Sequence, residues 1–115
     1  IVFGTPVYWY GPTGLMKLFI DRLVYFNCPP NRKKIKGKPA VLVMPLEETN
    51  PETAAGTVDF FEKCLSYLEM EFFGKVVAGG VGRKGDALTK IGPLDAARKL
   101  GGRLAERLAH GRRPK

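Results

Sequence analysis

The 115-residue chain has one histidine and two cysteines, and that scarcity excludes much chemistry at the outset. Cys28 and Cys64 stand far apart with no CxxC pairing, so no zinc or iron–sulfur motif is present in the sequence. Reduced thiols in a cytoplasmic protein are the expectation, with a disulfide as the alternative. No apolar run reaches the roughly 18–20 residues that a membrane span needs, and no membrane partner is expected. The chain begins inside a hydrophobic run, without Met and without a preceding basic segment, so this end does not read as a signal peptide. Neither an internal repeat nor a low-complexity stretch occurs. Composition is otherwise that of one globular domain at most, 44% hydrophobic and 26% charged.

Basic residues outnumber acidic ones 19 to 11, a net charge of +8 that raises nucleic acid as a partner. The excess sits in two runs, "NRKKIKGK" (31–38) and "HGRRPK" (110–115). Neither interleaves aromatics with its cations as a single-strand stacking surface would. Both read as solvated surface, a connection and a basic tail at 111–115, and nucleic-acid binding is not expected.

Hydrophobic patterning gives the order β-α-β-α-β-α. "IVFGTPVYW" reads as a buried strand entering a loop at Gly4–Pro6. Thr13 is a candidate N-cap, or Pro12 a first-turn residue, of a helix whose stripe would be Leu15, Phe19, Leu23 and Phe26, ending before Pro29–Pro30. Met16 and Ile20 lie alongside that stripe, and Lys17 and Asp21 stand four apart on the other face. "KPAVLVMPL" (38–46) is uniformly apolar, as a central strand covered on both faces should be. A long helix is predicted from Thr53 to about Phe73, burying Val58, Phe61, Leu65 and Leu68, with Gly74 as its terminating glycine. "KVVAGGV" (75–81) reads as a third strand. A last helix runs from Pro93 to Ala109 with Leu94, Ala97, Leu100, Leu104 and Leu108 on one side. Strands alternating with helices imply a parallel sheet, because each connection must cross over.

The loop after the first strand is the unusual feature. Tyr8, Trp9 and Tyr10 are consecutive, and three neighbouring rings cannot all enter one core, so at least one is expected to face a cleft. A conjugated planar ligand could stack there.

With these elements placed, "FGTPVYWYGPTGLMKLFIDR" (3–22) resembles the flavodoxin-like NAD(P)H-dependent oxidoreductases, the FMN-reductase and quinone-reductase relatives that include the multimeric flavodoxins. The motif lies in Thr5, Pro6, Val7, Tyr8, Trp9, Tyr10 and Gly11, then in Leu15, Met16, Lys17, Phe19, Ile20, Asp21 and Arg22. The resemblance implies an α/β flavodoxin-like doubly wound sheet of order 2-1-3-4-5, of which this chain matches the third, fourth and fifth strands. On that reading residues 1–110 are the C-terminal part of a single domain, and the first two strands and the phosphate loop after the first are missing. The resemblance implies FMN as cofactor, NAD(P)H as co-substrate, and hydride transfer to the flavin, with electrons then passed to a quinone, nitro, azo or metal-chelate acceptor. It implies that Thr5–Gly11 wraps the flavin ring, with main-chain amides of residues 7–11 and the Thr5 hydroxyl at its pyrimidine edge. No side-chain acid or base is required, which accords with the absence of a catalytic dyad. A homo-oligomer is expected. The alternatives are a flavodoxin-type electron carrier, against which the positive charge argues, and a chain that no longer binds flavin.

Other candidates are weaker. Glu47 and Thr49 follow the second strand in "EETN", where relatives carry a glycine-rich flavin-edge loop that this sequence lacks. Asp21 and Arg22 read as structural. Cys28 and Cys64 have no adjacent base that would activate a thiolate, and His110 is given no catalytic role.

Overall fold

The computed structural model describes residues 1–111. The part of the basic tail at 112–115 lies outside the described residues. Three strands form one sheet in the order of the chain: β1 (Val2–Gly4), β2 (Pro39–Pro45) and β3 (Glu71–Ala78). All pair in parallel, with Val2 opposite Val41 and Leu42 opposite Lys75. Between and after them lie α1 (Gly14–Asp21), a short α2 (Pro29–Arg32), α3 (Ala55–Tyr67) and α4 (Ile91–Gly111). This is the α/β flavodoxin-like arrangement over its three consecutive strands.

Strand β2 is central, and its alternation divides the core. Ala40, Leu42 and Met44 face α1 and α3, where they pack with Phe3, Ile20, Leu23, Phe61 and Leu65. Val41 and Val43 face α4, where Leu100 and Leu104 meet Val76 and Phe73. An apolar strand of this kind needs a cover on each side, and the helices supply it.

Three expectations are corrected. The first helix does not bury Leu15 and Phe19, which are exposed; Met16 and Ile20 turn inward in their place, while Leu23 is buried and Phe26 packs partly buried against the core, as expected. Its start is fixed from two directions: the Thr13 hydroxyl accepts the Met16 N–H at 3.1 Å, and the Thr13 N–H donates to the Thr5 hydroxyl at 3.1 Å. That tether sets the helix's rotation. Beyond Asp21 the chain tightens into a 3₁₀ stretch, Arg22–Phe26, and it is extended at Cys28, as a residue before proline must be.

The second correction concerns α3, which ends at Tyr67 rather than near Phe73. Glu69 takes the left-handed conformation that a glycine would normally supply (φ 56°). Met70 N–H closes back on Leu65 C=O, and the Glu69 carboxylate is paired with Lys36. Gly74 is therefore no helix terminator. It lies within β3, where a β-carbon would come within 2.7 Å of Leu100, so its bareness seats α4 on the sheet. A register shift beside Ala40 and Val41 brings both Phe73 and Gly74 to the α4 side. Third, α4 is longer than expected and reaches Gly111, with Leu94, Ala97 and Leu108 exposed and only Leu100 fully buried.

Candidate functional site

Beyond Gly4 the chain stays bound to β2. Thr5 N–H donates to Val43 C=O and Val7 N–H to Pro45 C=O. Then Tyr8 and Gly11 exchange two hydrogen bonds, at 2.9 and 3.1 Å, closing a two-residue turn over Trp9 and Tyr10. Both of those residues have positive φ, 50° and 63°. A turn of this hand normally uses Asn-Gly, because a β-carbon is disfavoured in left-handed backbone. Here two large aromatics occupy it, and they are not held there by burial: Trp9 is 96% exposed and Tyr10 71%.

The turn is clamped from below. The Thr57 hydroxyl, fully buried in the first turn of α3, donates to Tyr10 C=O at 3.0 Å, and Gly56 passes beneath the same carbonyl. Thr57 holds the turn in position, and no local pattern marks it, since it lies 47 positions from its partner. Thr5 also serves closure: its buried hydroxyl accepts from Thr13 N–H and donates to Pro6 C=O. The hydroxyl's one proton is thus committed to the Pro6 carbonyl. Of the amides at 7–11, those of Val7, Tyr8 and Gly11 are spent within the chain. Trp9 and Tyr10 N–H have no partner among the described residues.

Beside the turn, at the carboxyl ends of β1 and β2, lies a cleft of about 360 Å³ walled by Val7, Trp9, Tyr10, Leu46, Glu47, Glu48 and Thr53. Open α/β sheets bind ligands in this position, outside the carboxyl ends of the strands. Glu47 thus joins the aromatic loop, as one of the expected residues, and brings Glu48 with it. Thr49 does not line the cleft; it faces Gly79 and Gly80. Those glycines were legible in sequence only as a weakness of the third strand. In the structure Gly79 lets two segments touch: a β-carbon there would meet the Thr49 and Glu48 carbonyl oxygens at 2.7 and 2.9 Å. Gly80 N–H donates to Glu48 C=O and Val81 N–H to Leu46 C=O, so the loop after β3 braces the loop after β2.

The other candidates stay apart from the cleft. Asp21 pairs with Lys17 one turn away, and the His110 ring contacts Glu106 C=O within its own helix. Both cysteines are free thiols. Burial pushes the Cys64 thiol up; Lys17 opposes this and Asp21 adds to it, so the group is held in its less nucleophilic form.

Comparison with known proteins finds relatives of one kind. Residues 1–46 match the NADPH-dependent FMN reductase family. Over 104 residues the chain is 33% identical to YwqN of Bacillus subtilis (strain 168), whose name describes an NAD(P)H-dependent FMN-containing oxidoreductase. The match takes in 87% of this chain and 57% of YwqN, so the chain spans less than two thirds of that relative's length. Among solved structures, the Trp repressor binding protein of Bacillus subtilis superposes with a TM-score of 0.75 at 29% identity, over 86% of this chain and 62% of that one. General stress protein 14 of Treponema denticola, solved in complex with FMN, shares the fold with a TM-score of 0.55 at 19% identity, over 94% of this chain and 62% of that protein. The parallel sheet and these relatives agree: the chain has the flavodoxin-like fold, and over residues 1–46 it is similar to the NADPH-dependent FMN reductases.

Proposed function

We propose that the cleft beside Trp9 and Tyr10 takes the isoalloxazine ring of FMN, and that the chain serves an FMN-dependent NAD(P)H oxidoreductase. The observation that carries this reading is the turn itself. Two aromatic residues are kept in left-handed backbone, clamped by Thr57, with their rings out of the core and their N–H groups free. A strained, exposed feature persists only where the rest of the fold over-determines it, and such features concentrate at ligand sites.

The described residues fit the ring. Trp9 and Tyr10 offer flat apolar faces, and their two N–H groups are donors for the carbonyl and nitrogen edge of a flavin. Val7 and Leu46 form the dry wall. Thr5, Thr13 and Thr57 hold the turn's position without touching a ligand. The same residues offer the cofactor's phosphate little: Glu47 and Glu48 flank the cleft, and no basic side chain lines it. When bound, FMN supplies the chemistry that accepts hydride from a nicotinamide and passes electrons onward. The protein's part is to orient the ring, cover one face and leave the other open to reactants. Quinone, nitro, azo and metal-chelate compounds suit an open site of this kind, and no acid or base need be drawn from Glu47 or Glu48.

Titration of flavin fluorescence with the purified chain tests the reading. Because recognition is of the ring, lumiflavin and FMN should bind within a few-fold of each other. Failure of both to bind would remove the cofactor assignment. NAD(P)H oxidation in the presence of FMN and a quinone then separates an oxidoreductase from an electron carrier.

A further inference from the structure

The two basic stretches that are 72 positions apart in sequence come together in the fold. Lys33, Lys34, Lys36 and Lys38 surround a recess of about 280 Å³ whose other wall is Arg107, Leu108 and Gly111 at the end of α4. This recess lies at the amino end of β2, beside Lys38 and Pro39, whereas the flavin cleft lies at its carboxyl end beside Leu46 and Glu47. Seven strand residues separate them, roughly 20 Å. The recess is thus basic, whereas the side chains that line the cleft at the far end of β2 include Glu47 and Glu48 and no cation.

Carboxylates at the basic pole do not balance it. Glu69 pairs with Lys36 and Arg32, and Glu71 with Arg107. Lys34 reaches only neutral partners, the Tyr25 hydroxyl and the Asn31 side-chain carbonyl. Lys33 and Lys38 have no ion pair among the described residues. Six cations face two carboxylates, which puts about half of the chain's +8 on this one surface.

We propose that this pole docks nucleic acid through its phosphate backbone, without reading sequence. A recess rimmed by flexible ammonium groups can receive a phosphodiester strand, while a planar membrane surface would meet only the rim. No aromatic lines the recess, so recognition is of charge rather than of stacked bases. Docking there leaves the opposite cleft facing away, and both sites can be filled together.

Fluorescence anisotropy with a labelled 20-base-pair duplex tests this on the whole chain. With about three phosphates neutralised, affinity should fall by about 40-fold between 50 and 200 mM salt. Changing Lys33, Lys34 and Lys38 to Ala should weaken binding at least tenfold at 50 mM and remove most of the salt dependence. A charge-matched control, Lys63, Arg83 and Lys84 to Ala, should stay within twofold of the unmodified chain. Equal losses in the two variants would overturn the proposal, leaving net charge alone as the cause. Binding to vesicles of phosphatidylserine and phosphatidylcholine with none to the duplex would overturn it as well, in favour of a membrane. Circular dichroism melts of both variants guard the comparison: equal unfolding temperatures with selective loss support the site, and selective loss that merely follows unfolding refutes it.

Discussion

Replacing Trp9 by Asn and Tyr10 by Gly should make the chain more stable and the proposed flavin site worse. The structure gives the size of each effect. Both residues sit at positive φ, where a side chain costs about 1–2 kcal/mol. Asn-Gly is the pair this turn prefers, but the added glycine loses about 0.5–1 kcal/mol in backbone entropy. Little packing is sacrificed, because Trp9 is 96% exposed and Tyr10 71%. The Thr57 hydroxyl meets a backbone carbonyl, which the substitution keeps. The net gain is therefore about 1 kcal/mol, or roughly 4–6 °C in melting temperature for a domain of this size. Against that, removing two rings that wall the cleft forfeits about 0.5–1.5 kcal/mol of stacking each. Flavin affinity should fall between about 5-fold and 150-fold. Urea unfolding followed by circular dichroism reads the first quantity and flavin fluorescence the second. A variant that is less stable would show that the rings pack after all. A more stable variant with unchanged flavin affinity would take the turn out of the site.

Thr57→Val keeps the shape of a buried side chain and leaves Tyr10 C=O without its donor, so it should cost about 1 kcal/mol in urea unfolding and weaken flavin binding without touching the ligand. Gly79→Ala should cost about 1–3 kcal/mol, since a β-carbon there meets the backbone oxygens of Glu48 and Thr49, neither of which can swing aside; a melt equal to that of the unmodified chain would mean the two loops separate freely. The Lys36 ammonium holds the Glu69 carboxyl below its usual value, with Arg32 assisting. Its contribution to stability is complete above the unfolded carboxyl's pKa of 4.5 and is lost as pH falls through the lower folded value. Glu69→Gln should therefore flatten the acid side of the stability profile below pH 5 and leave its slope near neutrality unchanged. The outer edge of β1 has no strand partner among the described residues, and Val2 is exposed on it, so association of copies through this edge should appear in sedimentation and be reversed by Val2→Lys. Phe3 is buried and would report unfolding instead.

Much of this protein was legible from local pattern. The apolar run 39–45 could only be a central strand, and alternation of strands with helices fixed parallel pairing. Thr13 declared itself as a cap because a threonine hydroxyl three residues before a free N–H has an obvious use. The aromatic trio and its flanking helix were enough to indicate the similarity to the NADPH-dependent FMN reductases that residues 1–46 display. Helix ends were less legible. Phe72 and Phe73 suit either a helix stripe or a strand, and what decided between them was Glu69, bent into left-handed backbone and held by Lys36 from 33 positions away. The sequence signals for the cleft were similarly one-sided: it displayed the rings but not the support beneath them. Thr57 under Tyr10, Gly79 against Glu48 and Thr49, and the meeting of Lys33–Lys38 with Arg107 are all contacts between segments distant in the chain. Residue type and spacing record what a segment prefers by itself. Which segments face one another is settled by how the two apolar faces of β2 are covered, and that is a property of the packed whole.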